Sequence, residues 1–241
     1  MRKATAFLLC LMGLASCSKH DPILPGTRTA IFDAGNIVVL NHQIENLPAA
    51  ANEIKIVDCP YVQDSTNVIW DGDRRIFSGF PTSNSVKNTA KPVCADGYVY
   101  AGLTTGELIK VNPKNRRIAW VADIYRDTNL TGGSSILDIV APVVVDGKTV
   151  YVSGLGDTFC RINADNGAKK WCVNIGTALP YIIAGDAIFV VATDGRLYAL
   201  RAGDGAIYWR AELKKALTPS YADEIITIGR EKFNAKTGAK I

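Results

Sequence analysis

Histidine is scarce in this sequence, which has only two among its 241 residues, His20 and His42. A Ser/His/Asp or Cys/His catalytic set would have to be built around His42 alone, and nothing in the sequence pairs with it recognisably. No cysteines show the CxxC spacing of zinc or redox sites. We therefore predict that the protein is not an enzyme and holds neither a cofactor nor a metal ion.

Charge of one sign and long apolar runs are also in short supply. The net charge is +4, which is too weak to indicate a nucleic-acid partner. Beyond Leu14 no segment approaches the roughly 20 apolar residues of a transmembrane helix. With 48% hydrophobic and 21% charged residues, the composition is that of a globular protein with one large domain or two small ones.

The N-terminus is typical of a secretory signal. A short basic head is followed by the apolar run 4–14. The run ends in Leu-Ala-Ser-Cys17, which resembles the bacterial lipobox, whose cysteine is lipidated and becomes the first mature residue; an ordinary cleavable signal is the alternative. We predict a signal peptide over 1–16, a lipidated Cys17, a tether over 17–30 and a β domain over 31–241. In bacterial lipoproteins, an Asp directly after the lipidated cysteine retains the protein in the inner membrane. Ser18 stands at that position here, which implies a lipid anchor on the periplasmic face of the outer membrane.

Four cysteines remain in the domain, and the periplasm permits disulfides. Cys160 and Cys172 flank a turn that ends in Asn166-Gly167. A hairpin closed by that turn would place the two cysteines opposite each other. We predict a disulfide between them, with a pair of buried thiols as the alternative.

Internal repeats are the most informative feature, and they are clear over residues 92–241. Each copy has three or four short alternating strands joined by Gly-containing turns, and three copies close with a tryptophan: Trp120, Trp171 and Trp209. A fourth copy stops before any tryptophan. Ahead of the repeats, residues 36–40 and 53–57 are predicted strands, whereas Tyr61 to Asn88 is predicted to be rich in loops.

A unit of this kind cannot bury both of its faces by itself. Stacking four-stranded units around an axis does bury them, so we predict an all-β fold, a β-propeller. At about 40–45 residues per blade, the chain accommodates about four or five blades, or an incomplete ring. The tryptophans are predicted to pack between neighbouring blades rather than against a cofactor.

The repeat unit, with Asp194-Gly195-Arg-Leu-Tyr-Ala-Leu200 as its clearest copy, resembles the tryptophan-docking repeat of the pyrroloquinoline-quinone (PQQ) enzyme superfamily. A lipoprotein signal before such PQQ-like repeats narrows the resemblance to the BamB family, eight-bladed lipoproteins of the outer-membrane protein assembly (BAM) machinery. The segments 136–147 and 180–190 are also similar to that family. The resemblance implies a non-catalytic scaffold that binds the periplasmic domain of BamA, other BAM subunits and unfolded outer-membrane proteins.

In that family two loops between blades grip BamA. Carried over by the resemblance, the first loop corresponds to residues 84–92, with Val86 and Lys87 at the contact positions, and the second contains Asp138. The alternative is that Val86 and Lys87 begin a strand and Asp138 is a turn residue. A quinoprotein-like enzyme or ligand-binding propeller is the alternative function; by the same resemblance a quinone dehydrogenase would need a vicinal cysteine pair, which this sequence lacks.

Overall fold

The computed structural model describes residues 39–40, 42–53, 58–82, 86, 90–125 and 136–241. The chain divides into two units, Met1–Asp33 and Ala34–Ile241, and all described residues belong to the second. The predicted signal peptide, the predicted lipidation site Cys17, the predicted tether and Lys87 lie outside the described residues.

Every regular element of the described chain is a β-strand, and the strands form five antiparallel sheets in chain order. The first sheet consists of β1 (Val62–Gln63), β2 (Val68–Asp71) and β3 (Arg74–Ser78). The second consists of β4 (Val93–Ala95), β5 (Tyr98–Gly102), β6 (Glu107–Asn112) and β7 (Arg117–Asp123). The third consists of β8 (Val144–Asp146), β9 (Thr149–Gly154), β10 (Thr158–Asn163) and β11 (Lys169–Val173). The fourth consists of β12 (Ile182–Ala184), β13 (Ala187–Val191), β14 (Arg196–Arg201) and β15 (Ile207–Glu212), and the fifth of β16 (Pro219–Ala222), β17 (Ile225–Ile228) and β18 (Glu231–Asn234).

Within each sheet the strands lie side by side in sequence order. Three sheets have four strands and two have three, so the repeat of the sequence is one meandering sheet of the fold. The prediction of an all-β propeller with a reduced number of four-stranded blades is confirmed.

The first sheet corrects the prediction of a loop-rich segment between Tyr61 and Asn88. All three of its strands lie there, and β2 and β3 are joined by the two-residue turn Gly72-Asp73, where Gly72 has φ +56°. Glycine at the first position of a two-residue turn is a hairpin signal. The prediction was wrong because the strands are short and rich in charge, so their alternation is weak.

The two early runs predicted as strands are only partly described. Val39 forms an isolated parallel bridge with Ile207, at the start of β15. Further along, the Ile44 amide donates to the carbonyl of Lys236, and the Asp223 amide donates to the carbonyl of Ala49. The segment 42–53 therefore runs across turns of the fourth and fifth sheets, while residues 54–57 lie outside the described chain.

The core lies between successive sheets. Strand β13 is buried along its whole length, as expected for a strand covered on both faces. Four apolar clusters fill the spaces between neighbouring sheets, from the first pair to the last. Each sheet is therefore stabilised chiefly by its neighbours, as in other repeat architectures.

The repeated tryptophans pack between neighbouring blades, as predicted. Each one donates its indole N–H to an alanine carbonyl in the next sheet: Trp120 to Ala164 at 3.0 Å, Trp171 to Ala202 at 3.1 Å and Trp209 to Ala235 at 3.0 Å. The acceptor is always the residue directly after the third strand of a sheet, which is β10, β14 or β18. These contacts hold consecutive blades in register.

Candidate functional site

Two connections between sheets meet at one place on the surface. The connection from the second to the third sheet is fixed from both sides: the Ile139 amide donates to the carbonyl of Leu103 at 3.2 Å, and the Leu155 amide donates to the carbonyl of Asp138 at 3.0 Å. The connection from the first to the second sheet lies against it, since the Ala90 amide donates to the carbonyl of Ile139 at 3.2 Å. Backbone bonds thus join both predicted partner loops into one surface.

Asp138 forms the link between the two loops. Its Oδ2 accepts a hydrogen bond from the Val86 amide at 2.6 Å, while its Oδ1 has no hydrogen-bond partner among the described residues. The side chain is fully buried. Burial raises the pKa of the Asp138 carboxyl, and the hydrogen bond from Val86 opposes that rise. An uncompensated carboxylate oxygen at this depth is costly unless something else in the fold or in a partner uses it.

A buried tyrosine supports the connection from below. The Gly156 amide donates to the Tyr125 hydroxyl at 3.0 Å. A Cβ atom added at Gly106, Gly154 or Gly156 would lie between 2.0 and 2.7 Å from atoms of the Tyr125 side chain. The ring therefore requires glycines around it, and burial raises the pKa of its hydroxyl above the usual range. The Tyr125 side chain therefore packs beneath the connection between the second and third sheets and holds it in position.

The face that this arrangement presents is largely apolar. Val86, Leu137 and Val140 are half-buried, and Pro142 is exposed. Such an apolar surface can bind another protein.

Elsewhere in the described chain, no group of three or more His, Cys, Asp or Glu side chains is placed to hold a metal ion. His42 lines a separate open cavity of about 420 Å³ with Asp186, Arg201 and Tyr208. Arg201 is already engaged in an ion pair with Asp204. Within the described residues, no helix has the length and hydropathy needed to cross a membrane.

The structure brings together two of the three residues predicted to contact a partner. Val86 and Asp138 are joined by a hydrogen bond, and Lys87 lies outside the described residues. The Asp138 carboxylate faces Val86 rather than solvent, so in this structure it holds a loop in place. Sequence reasoning missed Tyr125, for which the surrounding glycines were the available signal.

Both cysteine pairs of the domain are bonded. Cys160 and Cys172 are directly opposite in β10 and β11, with their sulfurs 2.03 Å apart. A second disulfide joins Cys59 to Cys94. No spacing rule could have indicated that second pair, because its members are separated by 35 positions, with Cys59 in the segment before β1 and Cys94 in β4.

Known proteins share both sequence and fold with this chain. A relative from Salmonella typhimurium, outer membrane protein assembly factor BamB, is 29% identical over 128 residues, which cover 53% of this chain and 32% of the relative. The protein of the same name from Yersinia pestis is 26% identical over 126 residues, covering 52% of this chain and 32% of the relative. The matched segments therefore span about a third of the length of these curated relatives.

Two solved structures show the fold. BamB from Moraxella catarrhalis aligns with a TM-score of 0.50 at 15% identity, covering 81% of this chain and 66% of that protein. A quinohemoprotein alcohol dehydrogenase from Pseudomonas putida aligns with a TM-score of 0.51 at 14% identity, covering 75% of this chain and 39% of the enzyme. At these identities the likeness extends to the architecture alone.

The sequence model of the family described as outer membrane protein assembly factor BamB matches residues 34–211. That range includes the first three sheets, the fourth sheet up to the penultimate residue of β15, the three repeated tryptophans and both loops of the candidate site. The chain belongs to the BamB family.

Proposed function

We propose that this protein is a non-catalytic scaffold of the BAM complex, anchored through lipid on Cys17 to the periplasmic face of the outer membrane. It binds the periplasmic domain of BamA and assists the assembly of β-barrel proteins. Membership of the BamB family supports this role, and the curated relatives carry the name of outer membrane protein assembly factors.

The hydrogen bond between the Val86 amide and the Asp138 carboxylate carries the proposal. It joins the two loops that the family resemblance assigns to partner binding, although they are 52 positions apart in the chain. Two connections that served only to link strands would not need a buried carboxylate between them, because burying that group is unfavourable. We assign Asp138 the role of positioning residue and Val86 with Lys87 the role of direct contacts.

The proposal is tested by capture of the purified periplasmic domain of BamA on the immobilised mature protein. Lys87→Glu should weaken capture at least several-fold by reversing a contact charge, and Asp138→Ala should weaken it by releasing the Val86 loop. Lys215→Glu is the matched control, because Lys215 is an exposed lysine in the connection between the fourth and fifth sheets.

Undiminished capture by both loop variants would refute the assignment of the site, and absence of capture by the wild-type protein would refute the role itself. Circular dichroism of each variant separates lost contact from lost folding. Quinone-dependent dye reduction by the purified protein would instead favour the quinoprotein alternative.

A further inference from the structure

The last strand of the second sheet, β7, has one side free. It pairs with β6 and with no other strand of the described chain. Ile118 and Val121 on this strand are 50% and 47% exposed, which is unusual for large apolar side chains in a strand. A free, exposed and apolar strand is a template for pairing with another chain.

None of the corresponding edge strands of the other sheets has more than three consecutive uncharged residues, and charges on edge strands generally discourage pairing. Their charged residues are Arg74 and Arg75 in β3, Lys169 and Lys170 in β11, Arg210 and Glu212 in β15, and Glu231 and Lys232 in β18. In β7 the charges stand only at the two ends, at Arg117 and Asp123. Five consecutive uncharged residues lie between them, so this edge lacks the protection that the others have.

The backbone of β7 is oriented for pairing at its centre. The Ile124 amide donates to the carbonyl of Gly106, and Ala122 is paired with Leu108. Because amide directions alternate along an antiparallel strand, the N–H and C=O of Val121 point away from β6. At the far end, the carbonyl of Asp123 accepts a hydrogen bond from Lys169 of the third sheet. The open stretch therefore covers the first two thirds of the strand.

The positive charge at the beginning of β7 indicates that the bound segment carries acidic residues. The turn before the strand holds Lys114 and Arg116, and Arg117 is the first residue of the strand; all three are exposed and without an ion pair in the described part of the chain. An antiparallel partner places its C-terminal end at this turn. Acidic groups there would be attracted by three positive charges.

We infer that the β7 edge binds an extended segment of an unfolded β-barrel protein, one that alternates apolar and polar residues and ends in acidic residues. The occupant forms backbone hydrogen bonds with β7 and places its apolar side chains against Ile118 and Val121. The nature of the occupant rests on the proposed function. A barrel strand is a suitable occupant because it alternates in this way along about ten residues.

The test uses a fluorescein-labelled 12-residue peptide of alternating valine and threonine that ends in Asp-Glu, with binding followed by fluorescence anisotropy. We expect Val121→Lys to weaken binding at least 10-fold, because a charged lysine on an edge strand discourages pairing with another chain. Val62→Lys is the matched control, since Val62 is also an exposed valine, at 63% against 47% for Val121, and lies on a different sheet. A central proline in the peptide should abolish binding, and a Lys-Lys end should weaken it several-fold.

Equal binding by the wild-type protein and Val121→Lys, equal binding of the proline peptide, or no binding at all would overturn the inference. A wild-type dimer that Val121→Lys converts to a monomer, with no peptide bound, would assign the edge to a second copy and overturn it as well. Capture of the BamA domain should be unchanged in Val121→Lys. Absence of peptide binding by the wild-type protein while its capture of the BamA domain is intact refutes this inference alone, whereas failure of capture by the wild-type protein refutes the proposed function.

Discussion

Trp209 donates its indole N–H to the carbonyl of Ala235 at 3.0 Å, and this contact ties the fourth sheet to the fifth. Both residues are buried, so the carbonyl has little access to water if the donor is removed. The ring also packs near Phe189, with centroids 5.9 Å apart. One side chain thus contributes apolar burial and a directional bond to the same junction.

We expect Trp209→Phe to lower the free energy of unfolding by about 1–3 kcal/mol, because the Ala235 carbonyl loses its donor while most apolar contact remains. Trp209→Ala should cost about 3–5 kcal/mol. Urea denaturation followed by circular dichroism measures both. Tyr208→Phe, which removes from the neighbouring residue a hydroxyl that donates to Asp186 in an exposed hydrogen bond, should change stability by less than about 0.5 kcal/mol. Equal losses for Trp209→Phe and Tyr208→Phe would show that the indole bond is unimportant.

The glycine under the Trp209 ring is required by space as well as by backbone angle. Gly238 has φ +72°, and a Cβ added there would lie 2.5 Å from the Trp209 ring. Gly195 has φ +82° but would meet nothing within 4 Å. Gly195→Ala should therefore cost only the backbone strain of about 1–2 kcal/mol, and Gly238→Ala should cost clearly more. Thermal unfolding of the two variants measures the difference, and equal shifts in melting temperature would contradict the steric argument.

The propeller could be predicted from the sequence because the signals for it lie close together within each repeat. Trp120, Trp171 and Trp209, with the turns that precede them, mark each repeat along the chain. The disulfide between Cys59 and Cys94 and the hydrogen bond from Val86 to Asp138 join distant segments, so no spacing rule could identify them. The family resemblance pointed to the loops of the candidate site but could not show that the Asp138 carboxylate is buried.

At the junction between the first and second sheets, no tryptophan among the residues that the structure describes donates its indole N–H to a carbonyl of the next sheet. Phe77 pairs with Ile69 directly before the bulge, the register position that Trp120 holds opposite Lys110 in the next sheet. Phenylalanine has no N–H to donate. In the facing turn Arg116, with φ +58°, occupies the position that glycine holds in the other turns.

The Cys59–Cys94 disulfide stands at this same junction, connecting the segment before β1 to β4. We predict that Cys59→Ala/Cys94→Ala speeds amide hydrogen exchange in residues 62–78, because a disulfide typically contributes about 2–4 kcal/mol. The third sheet should be unaffected. Cys160→Ala/Cys172→Ala is the control and should speed exchange in residues 158–173 instead. Unchanged protection of 62–78 would show that apolar packing alone holds the first sheet.

The bonded state of the cysteines has a direct measurement. If both disulfides form in the periplasm, the purified domain, unfolded without a reductant and treated with iodoacetamide, should gain no mass at Cys59, Cys94, Cys160 or Cys172. After reduction it should gain four carbamidomethyl groups. Two groups added before reduction would show that one pair is present as thiols, and peptide mapping would identify which pair.

Asp138 should make stability depend on pH in the direction opposite to that of most carboxylates. Burial raises its pKa in the folded protein, so the folded state favours the protonated form. The resulting stabilisation is complete below the ordinary aspartate pKa and is lost as the pH rises through the raised value, at about 1.4 kcal/mol for each unit of difference. Asp138→Asn has no proton to lose and keeps the shape of the side chain.

We therefore expect the free energy of unfolding of the wild-type protein to fall relative to that of Asp138→Asn as the pH rises from about 4, and the difference to level off once Asp138 is ionised. Urea denaturation at several pH values between 4 and 7 measures it. Asp146→Asn, which removes an exposed carboxylate of β8, corrects for the change in net charge. A difference that moves in the wild-type protein's favour with rising pH would show that the bond from the Val86 amide outweighs burial, because the ionised carboxylate would then be the form that the folded state prefers.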